Sequence, residues 1–208
     1  GAFGSPNWLE FDPKYPHLVY VAADRGAGDE NEGNGNMRIL DLKNQYVGTA
    51  LTEGDMGGTN RGRALAFFDE NHMAVAVDQG DELRAAVYGF TRNREAPEGD
   101  ERNYKMWGNR LALVNFKACN TVTFHPVDGD MYFNSWDKGQ FFKVEKQQIQ
   151  EIFDGTRTTP ADKEVLFQMD NGWEYNIRIH PTGNYAYIVS INKHYIQRTN
   201  YDWASKRF

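Results

Sequence analysis

Apolar and polar residues alternate along short segments of this chain, and the same arrangement of segments returns four times. Each unit has an alternating strand, a turn with Asp or His that Pro often follows, and a second apolar strand. The four copies are WLEFDPKYPHLVYVAAD, RALAFFDENHMAVAVDQ, TVTFHPVDGDMYFNSWD and NIRIHPTGNYAYIVSIN. Their first-strand anchors, Phe11, Phe67, Phe124 and Ile179, are separated by 56, 57 and 55 residues. A fixed period of this length is typical of a repeat architecture.

Further strand-like segments complete each unit. A third segment follows every hairpin: MRILDLKN, LRAAVYGFT, QFFKVEKQ and HYIQRTNYD. A fourth follows in the first three units: YVGTALT, LALVNF and VLFQM. Four antiparallel strands per unit is the composition of a β-propeller blade.

The pattern therefore predicts an all-β chain with a single propeller domain over residues 1–208, with blades at approximately 6–53, 62–116, 120–169 and 174–208. A β-sandwich of hairpins is the alternative, although a sandwich does not require equal spacing. Helix is expected only from Val144 to Phe153. Because the last unit lacks a fourth strand, we favour part of a larger ring over a complete four-bladed one.

Composition and charge narrow the classes of partner. The chain has 208 residues, of which 29 are acidic and 23 basic, and its net charge of −6 argues against a nucleic-acid or anionic-membrane surface. The single cysteine, Cys119, has no disulfide partner and is expected to pack as a small apolar residue. No apolar run reaches the length of a transmembrane segment, and no targeting signal is present. Removal of a signal or lipid-anchor sequence before Gly1 is left as an alternative.

One face of the predicted propeller collects the candidate binding residues. The loops between the second and third strands and the connections between blades emerge on the same side, because the strands alternate in direction. Aromatic rings there suit the C–H side of a sugar ring, and polar neighbours suit its hydroxyl groups. The candidate ligand-binding residues are Trp136, Asp137, Lys138, Asn171, Trp173, Tyr175 and His194. The alternative is that the two tryptophans only seal joints between blades.

The same face carries an acidic, glycine-rich loop, DRGAGDENEGNGN. Its hard oxygen ligands suit calcium, and the candidate metal ligands are Asp24, Asp29, Glu30 and Glu32. The spacing fits no EF-hand loop, and a solvated flexible loop is the alternative. The sequence predicts no other cofactor.

Signals for catalysis are weak. The chain lacks a phosphate-binding glycine loop, HExxH and GxSxG. His125 and His180 fall in equivalent His-Pro turns on the opposite face, with His17 and His72 near the same turns, and a structural role is expected for them. Asp137 and Asp170 could act as an acid and base pair, but their separation cannot be read from the sequence.

Three segments carry a resemblance to a known family: GSPNWLEFDPKYPHLVYVAAD, NTVTFHPVDGDMYFNSWDKGQFF and NGWEYNIRIHPTGNYAYIVSINKHYI. They resemble NHL-type β-propellers of Bacteroidetes-type surface lipoproteins in which an IPT/TIG domain precedes the propeller. The resemblance implies a six-bladed ring of which this chain is the N-terminal part. It also implies a non-catalytic role in glycan uptake at the cell surface or in the periplasm of a Gram-negative bacterium, with a glycan ligand and outer-membrane transporter partners. No site residue is carried over from the family.

The leading hypothesis is a carbohydrate-binding propeller of the cell surface rather than an enzyme. The alternatives are an interaction scaffold in an outer-membrane complex, and a propeller lyase, lactonase or hydrolase with a central metal or a carboxylate pair.

Overall fold

The computed structural model describes residues 5–24, 37–52, 54–57, 62–77, 85–98, 103–116, 119–135, 139–169, 175–190 and 194–208. These residues form four antiparallel sheets and one short helix, and in every sheet neighbouring strands follow chain order. We number the sheets blades 1 to 4.

Three blades have four strands and the last has three. Blade 1 contains β1 (Ser5–Phe11), β2 (Leu18–Asp24), β3 (Met37–Asp41) and β4 (Tyr46–Leu51). Blade 2 contains β5 (Gly62–Phe67), β6 (His72–Val77), β7 (Ala85–Arg92) and β8 (Trp107–Asn115). Blade 3 contains β9 (Cys119–Phe124), β10 (Met131–Ser135), β11 (Gln140–Val144) and β12 (Glu164–Gln168). Blade 4 contains β13 (Tyr175–Ile179), β14 (Tyr185–Ser190) and β15 (Tyr195–Asn200).

The first strands of the sheets lie next to one another. β1 packs against β5, β5 against β9, and β9 against β13. The four anchor residues of the repeat are the last residues of these strands. Sheets arranged side by side through their first strands form a β-propeller, so the predicted fold class is confirmed and the sandwich alternative is wrong.

Apolar side chains between the sheets form two cores. The larger core joins blades 1 to 3 and includes Leu65, Val75 and Val122, all fully buried. A smaller core joins blades 3 and 4 through Phe141, Ile177, Ala186 and Ile188. Burying one such side chain contributes about 1.5–3 kcal/mol, so inter-blade packing is the main stabilising term.

Polar contacts also join the blades. The indole N–H of Trp8 in blade 1 donates to the carbonyl oxygen of Leu65 in blade 2 at 2.7 Å. Asp12 accepts two hydrogen bonds from Arg92 in the same interface, both at 2.9 Å. The Tyr104 hydroxyl, from the segment between β7 and β8, donates to Asp41 at 2.8 Å.

The His-Pro turns on the opposite face have the predicted structural role. Nδ1 of His125 accepts the backbone N–H of Asp128 at 3.1 Å, so Nε2 carries the proton and donates to the carbonyl oxygen of Gly183 at 3.0 Å. This bond ties blade 3 to blade 4. His180 lies in the equivalent turn, which its backbone N–H closes by donating to the carbonyl oxygen of Tyr185 at 2.9 Å.

The single helix of the described residues is α1 (Lys146–Phe153). It begins two residues after the predicted start because Val144 is the last residue of β11. Ile149 and Ile152 are buried, and the Phe153 ring lies 4.4 Å from the His72 ring of blade 2.

Candidate functional site

Strand ends define the face on which the candidate loops begin and end. Ala22 pairs with Met37 at the end of β2 and the start of β3, and Ser190 pairs with Tyr195 at the end of β14 and the start of β15. The other sheets end in the same way, because their strands alternate in direction. We call this side the loop face.

The structure describes few of the predicted site residues. Outside the described residues lie Trp136, Asp137, Lys138, Asp170, Asn171, Trp173, Asp29, Glu30 and Glu32. Asp24 ends β2 and Tyr175 begins β13, and for both only the backbone is described. His194 is described, and its side chain is exposed directly before β15.

Backbone hydrogen bonds bring together the starting points of the two tryptophan segments. The backbone N–H of Gly139 donates to the carbonyl oxygen of Ser135 at 3.1 Å. Gly139 has a φ of 62°, a conformation that glycine adopts without strain. The N–H of Met169 then donates to the carbonyl oxygen of Gly139 at 3.0 Å. The described residues that flank the segments of Trp136 and Trp173 are therefore joined by hydrogen bonds, from Ser135 through Gly139 to Met169.

A buried amide supports this part of the loop face. The side-chain oxygen of Asn134 accepts the backbone N–H groups of Thr121 and Asn120, at 2.9 and 3.3 Å. The pairing of β9 with β10 is irregular at this point, because the register shifts between Phe133 and Ser135. Asn134 thus satisfies donors that the irregular ladder leaves without a strand partner.

Cys119, at the start of β9, is buried and protonated rather than placed as a nucleophile. Its side chain is fully buried, and its thiol donates to the carbonyl oxygen of Thr121 at 3.0 Å. Burial raises the pKa of the Cys119 thiol to about 12, so the neutral form persists at neutral pH. The expected packing of Cys119 as a small apolar residue is confirmed.

The connection between blades 1 and 2 lies on the loop face, as expected, but the hydrogen bonds of its turn were not predicted. Asp55 accepts hydrogen bonds from the backbone N–H and the hydroxyl of Thr52, at 2.7 and 2.8 Å. The next side chain, Met56, is fully buried and fills the space beside Gly62. The local signal was the Thr-x-x-Asp spacing, which is typical of a reciprocal cap.

A charged hollow of about 600 Å³ lies away from the loop face, beside β11, α1 and the turn near Lys206. Lys143 pairs there with Asp130 at 2.9 Å and also donates to the carbonyl oxygen of Lys206 at 3.0 Å. The two paired side chains are about one-tenth exposed. Their contacts join blade 3 to the C-terminal turn, which is a structural use of the pair.

Within the ranges that the structure describes, no group of three or more His, Cys, Asp or Glu side chains is arranged to hold a metal ion. The predicted calcium loop, apart from Asp24, lies outside those ranges. The described helix is too short and too polar to cross a membrane.

Comparison with known proteins identifies similar solved structures. An auxiliary nutrient binding protein from Bacteroides thetaiotaomicron is 31% identical over 99% of this chain, with a TM-score of 0.72. A candidate phosphatase from the same organism is 30% identical over 99% of the chain, with a TM-score of 0.79. An auxiliary nutrient binding protein from Bacteroides ovatus is 24% identical over 99% of the chain, with a TM-score of 0.71.

The chain spans 40%, 44% and 40% of the lengths of these three proteins. No family model matches the chain, and no curated protein matches it.

Proposed function

We propose that this chain is a non-catalytic propeller that binds carbohydrate nutrients at the surface of a Gram-negative bacterium. The observation that carries the proposal is the likeness to the auxiliary nutrient binding protein from Bacteroides thetaiotaomicron, which is 31% identical over 99% of the chain. The net charge of −6 suits a neutral ligand better than an anionic one. The resemblance to NHL-type propellers of IPT/TIG lipoproteins supports an outer-membrane anchor and transporter partners.

The proposed binding site lies on the loop face. Trp136 and Trp173, with Tyr175, provide the apolar floor for a sugar ring. The polar contacts are assigned to Asp137, Lys138, Asn171 and His194. The hydrogen bond between Gly139 and Met169 supports this assignment, because the two tryptophan segments start beside it.

The first experiment is isothermal titration of the intact protein against a panel of soluble polysaccharides. We expect Trp136→Ala and Trp173→Ala each to weaken binding by about tenfold or more, as removal of a buried aromatic anchor does. Trp203→Ala is the matched control, because Trp203 is 45% exposed and lies on the opposite face. Its indole N–H donates a hydrogen bond to the side-chain oxygen of Asn184 in a turn there. Equal losses in all three variants would contradict the site, and no binding to any polysaccharide would contradict the function.

Calcium is a separate part of the proposal, with Asp24, Asp29, Glu30 and Glu32 as its ligands. The titrations are repeated with calcium and with a chelator, and with the variant Asp29→Asn/Glu30→Gln. A calcium-dependent gain in affinity that this variant lacks would support a metal at the loop. Identical isotherms in all conditions would remove calcium from the site.

A hydrolase is the second candidate, favoured by the candidate phosphatase that is 30% identical over 99% of the chain. Asp137 and Asp170 would then act as the acid and base pair. Turnover of p-nitrophenyl phosphate with added divalent metals, abolished by Asp137→Asn and by Asp170→Asn, would replace the binding proposal. If the protein shows neither phosphatase turnover nor glycan binding, a protein-interaction scaffold becomes the favoured function.

A further inference from the structure

The loop-face end of blade 3 carries a buried side chain that departs from the repeat. Asn134, in β10, is 0% exposed. The strand pairing gives it the position of Ala22 in blade 1, Ala76 in blade 2 and Val189 in blade 4. Burial of an amide costs free energy unless the amide is hydrogen-bonded, whereas burial of a small apolar side chain does not. Asn134 therefore has a use that the other blades do not share.

The irregular strand pairing beside Asn134 does not by itself supply that use. In blade 1 the register shifts in β1 opposite Ala22, and in blade 2 it shifts in β5 opposite Ala76. In each case two residues of the first strand face one residue of the second, as in a β-bulge. Blades 1 and 2 thus form the same irregularity with alanine, so the bulge does not require an amide.

Asn134 joins two strand ends through one oxygen atom. Its Oδ1 accepts the backbone N–H of Thr121 at 2.9 Å and that of Asn120 at 3.3 Å. Because both partners are donors, these contacts fix which end of the amide faces β9. The start of β9 is thereby tied to the end of β10 by bonds that an alanine cannot make.

The position of this amide in the chain links it to the loop face. Asn134 stands two residues before Trp136. Ser135 lies between them, and its carbonyl oxygen accepts the backbone N–H of Gly139 at 3.1 Å. The described residues on both sides of segment 136–138 therefore meet at the neighbour of Asn134.

We propose that Asn134 is a positioning residue, which holds the end of β10 so that the segment carrying Trp136 leaves the sheet in one orientation. A binding site needs such support behind the residues that touch the ligand, because a loosely held contact must be ordered at each binding event. The inference rests on the proposed function for the use of Trp136 as a sugar contact. The support of the segment itself requires no ligand.

Fluorine NMR of the intact, ligand-free protein labelled with fluorinated tryptophan tests this role. The chain has five tryptophans, and the Trp136 signal is assigned by its absence from Trp136→Phe. Asn134→Ala introduces the residue of blades 1 and 2 and removes both hydrogen bonds. Asn184→Ala is the matched control, because the side-chain oxygen of Asn184 accepts the indole N–H of Trp203 on the opposite face at 3.2 Å. Circular dichroism establishes that each variant is folded.

We expect Asn134→Ala to shift, broaden or split the Trp136 signal and to leave the Trp203 signal unchanged. Asn184→Ala should do the reverse. Asn134→Asp keeps an oxygen acceptor for the two N–H groups, so it should retain a single narrow Trp136 signal.

A Trp136 signal of unchanged position and width in folded Asn134→Ala would overturn the proposal, because Asn134 would then act on stability alone. A broadened or split Trp136 signal in Asn134→Asp would also overturn it. This second variant decides the test by itself if Asn134→Ala does not fold.

Titration of the same variants against the polysaccharide panel separates this inference from the proposed function. Asn134→Ala should bind a polysaccharide that the natural protein recognises about two- to tenfold more weakly, which is the cost of ordering one side chain. Asn184→Ala should bind it as tightly as the natural protein does. If no polysaccharide binds while the Trp136 signal still depends on Asn134, the proposed function fails and the positioning role stands.

Discussion

The Asp12–Arg92 pair between blades 1 and 2 allows a sharp stability prediction. The side chains are 0% and 2% exposed, and the Arg92 guanidinium also lies 4.4 Å from the centre of the Trp107 ring. Arg92→Met leaves the Asp12 carboxylate buried without its cation, a change that typically costs about 3–5 kcal/mol. Asp12 keeps the backbone N–H of Lys14 and the hydroxyl of Tyr20 as donors, so we expect about 3 kcal/mol.

The assay is urea unfolding followed by tryptophan fluorescence and circular dichroism. A loss of this size corresponds to a Tm that is lower by roughly 6–12 °C for a chain of this length. Lys14→Met is the control, because the Lys14–Glu95 pair is 31% and 67% exposed, and its loss costs less than about 1 kcal/mol.

A double variant tests the cause of the effect. Asp12→Asn keeps the Oδ1 acceptor for the turn N–H groups and removes the buried charge, so Asp12→Asn/Arg92→Met should be more stable than Arg92→Met alone. A loss below about 1 kcal/mol for Arg92→Met, or a double variant that is less stable than the single one, would refute the reasoning.

Two further predictions concern a glycine turn and the pH dependence of stability. Gly183 has a φ of +75°, and a Cβ there would lie 2.7 Å from the His125 ring, so Gly183→Ala should cost about 2–3 kcal/mol in urea unfolding. Gly155 has a φ of +74° with open space around it, so Gly155→Ala should cost about 1 kcal/mol. Equal losses of stability in Gly183→Ala and Gly155→Ala would contradict the clash. Burial, followed by the hydrogen bond to Asp41, raises the pKa of Tyr104 to about 12. Burial opposes ionisation of Asp41, but hydrogen bonds from Asn44, Tyr104 and Lys43 outweigh it and lower its pKa. Stability should therefore fall above about pH 10, as the unfolded tyrosine ionises first, and below about pH 4, as the unfolded aspartate takes up a proton first. Tyr104→Phe should reduce the alkaline decline, and an unchanged pH profile of the unfolding midpoint would contradict this account.

The repeat made the blades predictable because its signal is local. Alternation of apolar and polar residues follows from the two-residue period of a strand, and turn residues mark the strand ends. The structural role of His125 and Cys119 was predictable for the same reason, since turn position and the lack of a partner cysteine can both be read from the chain.

The loop face was predictable only as a location. Strand direction predicts that the segments after Ser135 and Met169 leave the sheets on one side. In the described residues, the N–H of Met169 donates to the carbonyl oxygen of Gly139. Which side chains meet a ligand depends on loop conformation, which a repeat of strands does not determine.

The sequence by itself determined the strands, their order within each blade and the side on which the loops begin. Tertiary structure decided which polar groups pair and which apolar residues are covered. Arg92 reaches Asp12 across 80 residues of chain, a partner chosen by the packing of two blades and not by any local spacing. Leu9 and Leu65 occupy the same position in the repeat, yet one is 49% exposed and the other is buried. The pattern specifies an apolar face, and only the neighbouring blade decides whether that face loses its water.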